Sequence, residues 1–335
     1  MKQQSSAIYL FALGHLSVDW AQGAIPALLP YFIAHYGLNY QSAGALIFAN
    51  VLLASILQPL FGYYSDKISR PWFVPLGPVL CGLAVTAMGF LTNYYAIFAA
   101  AILCGVGSAL FHPEAALMVN RISGEKKGKA MGTFSVGGNG GFAIGPILAG
   151  ICAYHLGIHS LVIFGIVNLF AAALLYSRSR KVFADTRVAD RKKVSSGETG
   201  ETNDWPSFGK LSDRLGYRTI IRTAFCIMVP AYFLLTNTTN VFLATALLVP
   251  CAISVFSGYS PMVILGQTYL GRNAGFASGV TLGLSTTLGG IFAPIVGWAA
   301  DIWGLTAALQ ILWIAGILGA IAAFTLKNPA MEKAK

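Results

Sequence analysis

Charge is scarce in this chain. Of 335 residues only 10% are charged, with 12 Asp and Glu against 22 Lys and Arg. Soluble domains carry about 25% charged and about 45–50% apolar residues, whereas here 56% are hydrophobic and mean hydropathy is +0.67. That shortage excludes an ordinary soluble enzyme, a disordered chain and a nucleic-acid binder, even at a net charge of +10. Cysteine is sparse too. The five (Cys81, Cys104, Cys152, Cys226 and Cys251) sit in apolar runs, and no pair has metal-ligand spacing. They read as small buried hydrophobes, with no disulfide framework. Phosphate loops are also missing. The run GGNGG and the pair Gly105/Gly107 lie inside apolar segments and follow no strand, so no nucleotide cofactor is implied. No cofactor of any kind and no enzymatic chemistry are indicated.

Long apolar runs are abundant. A membrane-spanning helix needs roughly 20 mostly apolar residues. Ten segments qualify: 7–34, 40–61, 72–91, 94–119, 130–154, 158–177, 219–236, 240–266, 274–299 and 305–326. They are too long and too uniformly apolar for barrel strands, which alternate. The amino-terminal run has only Lys2 as its basic region and continues past a signal-peptide core, so it is expected to stay as the first helix. The expected fold is therefore an all-α membrane protein: a six-helix bundle over 7–177, a charged aqueous linker over 178–208, and a four-helix bundle over 209–326.

Basic residues collect on the cytoplasmic side of membrane proteins. Threading the chain from a cytoplasmic amino terminus places all 22 Lys and Arg on one side of the ten spans. The opposite-side connections around HYGLNY, TNYY, YHLGIH and TNTTN have none. The separation predicts a multi-pass protein of the cell inner (plasma) membrane with both termini cytoplasmic.

The two halves repeat. GYYSDK begins at Gly62 and GKLSDR at Gly209, so that Asp66 and Asp213 lie 147 positions apart. At the same offset Gly128, Ala130 and Gly132 fall on Gly275, Ala277 and Gly279; with one extra residue Gly141 and Pro146 fall on Gly289 and Pro294. Same-orientation repeats joined by a cytoplasmic linker build one large transporter class. In the first copy two helices precede the Gly-x-x-x-Asp loop, and in the second only the linker does. The second half therefore lacks counterparts of two helices.

These motifs resemble those of the major facilitator superfamily, whose usual plan is six plus six helices; about ten (6 + 4) are expected here. Gly209, Asp213, Arg214, Gly216 and Arg218 match its loop signature, while the first copy departs with Lys67 and Ser69. Gly132, Gly141, Gly145, Pro146 and Gly150 are similar to the fifth-helix pattern of its antiporters, with Ala149 replacing a glycine. More narrowly, HLSVDWAQGAIPALLPYF, GVGSALFHPEA and SVGGNGGFAIGP resemble the fosmidomycin-resistance-like drug exporters. The resemblance implies that Gly62, Asp66, Lys67 and Arg70, with Gly209, Asp213, Arg214 and Arg218, form loops that latch the halves. It also implies that the glycine-rich fifth helix is a hinge or seal. The plain alternatives are solvated turns with topogenic charge and simple close packing.

Ionisable residues inside the spans are the functional candidates. Asp19 lies about 12 residues into the first span, roughly 18 Å along a helix, and Glu114 lies in the fourth beside His112 and Pro113. A mid-membrane charge costs about 2.5–3.5 kcal/mol on translocon scales, so such groups face a bundle interior or a water-filled cavity. Burial favours the neutral carboxyl, which allows protonation to be coupled to transport. His15 shares a helix face with Asp19. Gln22, Asn50, Gln58 and Asn139 are candidates for a polar path. The bland reading of each is a hydrogen-bonded packing partner. A metal site would need His15, Asp19 and His112 to converge, and nothing in the sequence demands one. The second half offers only Tyr259, Ser260, Gln267 and Gln310, with Asp301 near a helix end.

The resulting expectation is proton-coupled efflux of small amphiphilic, drug-like molecules. Two alternatives stay open: a shortened relic that inserts without transporting, and a proton-coupled importer of a small nutrient. The partners are protons, a small-molecule substrate and the lipid bilayer. A homodimer that closes the cavity is compatible with the sequence.

Overall fold

The structure is a computed structural model and describes residues 2–67, 72–123, 127–194, 215–269 and 285–326. Eleven α-helices occur among the described residues: α1 (Lys2–Tyr36), α2 (Tyr40–Lys67), α3 (Phe73–Met88), α4 (Tyr94–Ile122), α5 (Lys127–Ile151), α6 (Val162–Val194), α7 (Tyr217–Asn237), α8 (Val241–Tyr269), α9 (Ser285–Trp303), α10 (Leu305–Leu309) and α11 (Ile311–Thr325). A π turn, Cys152–Leu156, and a 3-10 turn, Ile158–Leu161, connect α5 to α6. Each expected span falls on helix over most of its described residues, although 72–91 is helical only over Phe73–Met88. Among the described residues, seven helical spans are long and apolar enough to cross a membrane, and Phe73–Met88 and Leu288–Trp303 are shorter apolar helices. α1 is not among the seven despite its 35 residues. Its middle carries His15, Asp19 and Gln22, which lower its hydropathy. α6 runs unbroken to Val194, so the described part of the 178–208 segment is helical.

The chain folds as two compact units, Met1–Asp204 with Gly289–Pro294, and Trp205–Leu288 with Ile295–Lys335. In the first, side-chain registers fix the helix directions. Gly137, Gly141 and Gly145 of α5 face the backbone of Ala12, Leu16 and Trp20 of α1 in order, so these two helices run parallel. Asp19 meets His112 and Gln22 meets Ser108, which makes α4 antiparallel to α1. Gly77 packs on Phe111 and Gly107 on Cys81, setting α3 against α4. Ser42 pairs with Tyr94 and Asn50 with Ala101, so α2 parallels α4. Gly82 meets Asn168 and Gly89 meets Ile158, so α6 runs against α3. Odd and even helices thus alternate in direction, as six successive crossings require.

Lipid is as apolar as leucine, so close packing rather than water exclusion must hold such helices together. The glycines supply it. A Cβ at Gly141 would lie 2.5 Å from the Leu16 carbonyl oxygen, and those at Gly137 and Gly145 would strike the Ala12 and Trp20 carbonyls. Phe11, Phe32, Phe111 and Phe164 fill the remaining core and are fully buried.

The sequence repeat is visible in the backbone. α4 and α8 each have 29 residues, begin 147 positions apart and are capped alike. The Asn93 side chain accepts from the amides of Tyr95 (2.9 Å) and Ala96 (3.3 Å), and Asn240 from those of Phe242 (2.9 Å) and Leu243 (3.1 Å). Gly157 and Gly304, at the same offset, have φ of 86° and 83°, a region that favours glycine. In the second unit α11 runs antiparallel to α7. Arg222 donates to the carbonyls of Ala323 (3.2 Å) and Phe324 (2.9 Å), capping the carboxyl end of α11.

Candidate functional site

Three helices of the first unit bring their polar residues to one place. His15 and Asp19 are a turn apart on α1, and His112 comes from α4. Asp19, 3% exposed, is flanked on both sides. His15 Nε2 lies 3.1 Å from its Oδ2 and His112 Nε2 lies 3.0 Å from its Oδ1. The two imidazoles meet edge to face at 4.9 Å, and His15 stacks on Phe134 of α5 at 4.1 Å. Gly138 of α5 closes the site. A Cβ there would lie 2.5 Å from His15 Nε2 and 2.6 Å from Asp19 Oδ2.

The outer ring nitrogens settle the protonation pattern. His15 Nδ1 is 2.8 Å from the Phe134 carbonyl oxygen, and His112 Nδ1 is 2.8 Å from that of Ser108. A carbonyl only accepts, so both Nδ1 atoms carry hydrogen. Each Nε2 then faces a carboxylate oxygen, lone pair against lone pair unless a proton lies between them. Two such contacts call for two protons. With both in place the triad carries a net charge of +1, as two imidazoliums around a carboxylate or as one imidazolium beside a carboxylic acid.

A directed chain of hydrogen bonds leaves the triad. His112 Nδ1 is also 3.0 Å from Ser108 Oγ, whose hydroxyl donates to Gln22 Oε1 at 2.9 Å. Gln22 Nε2 donates to Asn50 Oδ1 at 3.2 Å, and Asn50 Nδ2 donates to the Ala101 carbonyl at 3.1 Å. Every donor points the same way, which ties α1, α4 and α2 together through amides that each accept one bond and donate one. Separately, Trp20 Nε1 donates to Asn168 Oδ1, and Asn168 Nδ2 donates to the Pro78 carbonyl at 3.0 Å, joining α1, α6 and α3.

The sequence-derived candidates divide accordingly. Asp19, His15, His112 and Gln22 come together. Asn139 does not; its side chain is exposed. Glu114 is fully buried; two residues beyond His112, it lies about 200° around α4 from it. Gly141 and Gly145 make the close approach with Pro146 beside them, whereas Gly132 and Gly150 have nothing within 4 Å of an added Cβ. Gln310 bridges α7 and α11, accepting from Trp313 Nε1 at 2.6 Å and Asn237 Nδ2 at 3.1 Å. Arg70, Gly209, Asp213 and Arg214 lie outside the described residues, as do the side chains of Asp66, Lys67, Tyr259, Ser260 and Gln267; for Gly62 only helical backbone is described. Arg218 is half-buried at the start of α7, after Gly216 with φ of 84°. Sequence reading missed Ser108, Asn168, Gly137 and Gly138. Ser108 stands four residues before His112, Asn168 is a lone amide in an apolar run, and Gly137 completes a spacing of four with Gly141 and Gly145.

A family model described as Major Facilitator Superfamily matches residues 11–332. The chain belongs to the major facilitator superfamily. It is accordingly a multi-pass membrane protein of a transporter family. It is 25% identical to the MFS-type transporter YfnC of Bacillus subtilis (strain 168) over 94% of this chain and 91% of that one. It is 34% identical to the Fosmidomycin resistance protein of Escherichia coli (strain K12) over 179 residues, 53% of this chain and 44% of that protein. This second match spans less than half of the relative's length. Among solved structures the xylose transporter XylE from E. coli, in an inward open conformation, superposes with a TM-score of 0.73 at 13% identity, covering 97% of this chain and 96% of that one. At that identity the likeness is one of fold.

Proposed function

We propose that this superfamily member is a proton-coupled exporter of small amphiphilic, drug-like molecules in the cell inner membrane, with both termini cytoplasmic. The observation that carries the reading is the His15–Asp19–His112 triad: a buried carboxylate between two imidazoles whose geometry requires shared protons. Loss or gain of the proton between Asp19 and His112 breaks or remakes a contact between α1 and α4, so proton occupancy there acts on helix packing directly. Proton binding from outside favours the substrate-free return, and release inside resets the triad. The 34% identity to a resistance protein over 53% of this chain supports drug-like cargo and outward transport. The Asp66 and Asp213 loops latch the two halves in alternate states, and the Gly137–Gly141–Gly145 row seals α5 against α1. The experiment is drug-dependent proton movement in everted membrane vesicles, with fosmidomycin and a panel of amphiphilic cations. Wild-type chain dissipates the gradient on drug addition and Asp19→Asn does not. Equal proton movement in both would overturn the coupling role; none in wild type would favour a transport-inactive chain.

A further inference from the structure

The triad has a second property that proton coupling does not use. Both Nε2 atoms and the Asp19 carboxylate converge, with the three ligand atoms within 4.8 Å of one another. Both Nδ1–H groups are held by backbone carbonyls, the arrangement that orients histidines around a metal and increases their basicity. We propose that His15, Asp19 and His112 form a binding site for one divalent transition-metal ion of the zinc class, which replaces the two bridging protons. Two histidines and a carboxylate are a donor set for zinc, with water in the fourth position. A divalent ion carries the charge of two protons, so the exchange leaves the buried triad at the same net charge. That removes the main electrostatic obstacle to placing a cation here. The fit needs adjustment. Ligand atoms bonded to zinc at about 2.0–2.1 Å stand roughly 3.3 Å apart in a tetrahedron; here the two nitrogen–oxygen pairs are 3.0 and 3.1 Å but use different oxygens of Asp19, and one ligand atom from each residue fits within 4.8 Å, so the rings must draw together around the ion. Rotation of the Asp19 carboxylate makes room between the rings. The His112 and His15 side chains are 23% and 12% exposed, against 4% for Asp19.

Metal binding is read on purified full-length chain in detergent without gradient or substrate, so its outcome is separate from that of the transport experiment. Cobalt(II) titration of wild type should give the intense visible bands of a four-coordinate ion, at one ion per chain, displaced by zinc. His112→Gln and His15→Gln should each weaken zinc binding at least tenfold, while a control change at exposed His155 leaves it unchanged. Weak octahedral-type cobalt absorption in wild type overturns the proposal without recourse to any variant. So does zinc affinity that is equal in wild type and in a His15→Gln/His112→Gln double variant with unchanged helicity and elution.

Discussion

Two glycines on one turn of α5 offer a matched test of how tightly the triad is held. In Gly138→Ala the new methyl would start 2.5 Å from His15 Cε1 and Nε2 and 2.6 Å from Asp19 Oδ2. In Gly140→Ala it meets only Leu16 Cδ1, at 3.9 Å, an ordinary contact. Both changes replace glycine by alanine inside the same helix and gain the same helix propensity, up to about 1 kcal/mol. Their difference isolates the collision. Relief requires the ring and carboxylate to retreat by about 1 Å in an interior packed without spare volume. Overpacking of that kind costs about 1–3 kcal/mol, so Gly138→Ala should fall below Gly140→Ala by that amount. The damage should also be chemical, because the atoms displaced are those of the His15–Asp19 contact. Thermal unfolding of the two purified variants in detergent measures the first effect, and drug-dependent proton movement in vesicles the second. Equal unfolding midpoints with equal transport would refute the packing of α5 against the triad.

Asp19→Asn should keep the fold, because an amide donates to one imidazole and accepts from the other; it should lose gradient-driven efflux, measured as drug retention in cells. Asn168→Ala leaves the Trp20 N–H and the Pro78 carbonyl unpartnered in a fully buried site. The expected loss is about 1–3 kcal/mol, read as a lower unfolding midpoint, with Asn168→Gln intermediate. Arg222→Ala frees two carbonyls at the end of α11 and should raise hydrogen exchange over residues 319–325 without affecting the triad.

Hydropathy made the spans legible because lipid demands about the same length from each. The end of α6 was not legible. Residues 178–194 are charged, but no Gly or Pro interrupts them and Arg, Lys and Ala are good helix formers, so the helix outlasts the apolar segment. The site was half legible. His15 and Asp19 share a face by spacing alone, whereas their meeting with His112 depends on the level at which α4 crosses α1, which no local pattern encodes. The same applies to α5. The family-like pattern includes Gly132 and Gly150, but the row that packs is set by the α1 backbone it meets, so Gly137 and Gly138 matter and the other two stand open. Asn139 sits between those contacts and points away from them.

The repeat explains why the chemistry is one-sided. Matching caps and glycine turns assign α8 to α4, and α10 with α11 to the 3-10 turn with α6. By chain order α7 then stands for α3 and α9 for α5, leaving α1 and α2 with no counterpart among the described residues. α1 supplies His15, Asp19 and Gln22, and α2 supplies Asn50. The sequence has no histidine after His159, so the second copy cannot set an acid between imidazoles, and its described polar hub is Gln310 with Thr236, Asn237 and Trp313, all neutral. Such a hub can hold helices together but cannot take up a proton near neutral pH. Among the described residues, the contacts between a buried carboxylate and imidazoles lie in the first unit alone, where α1 meets α4.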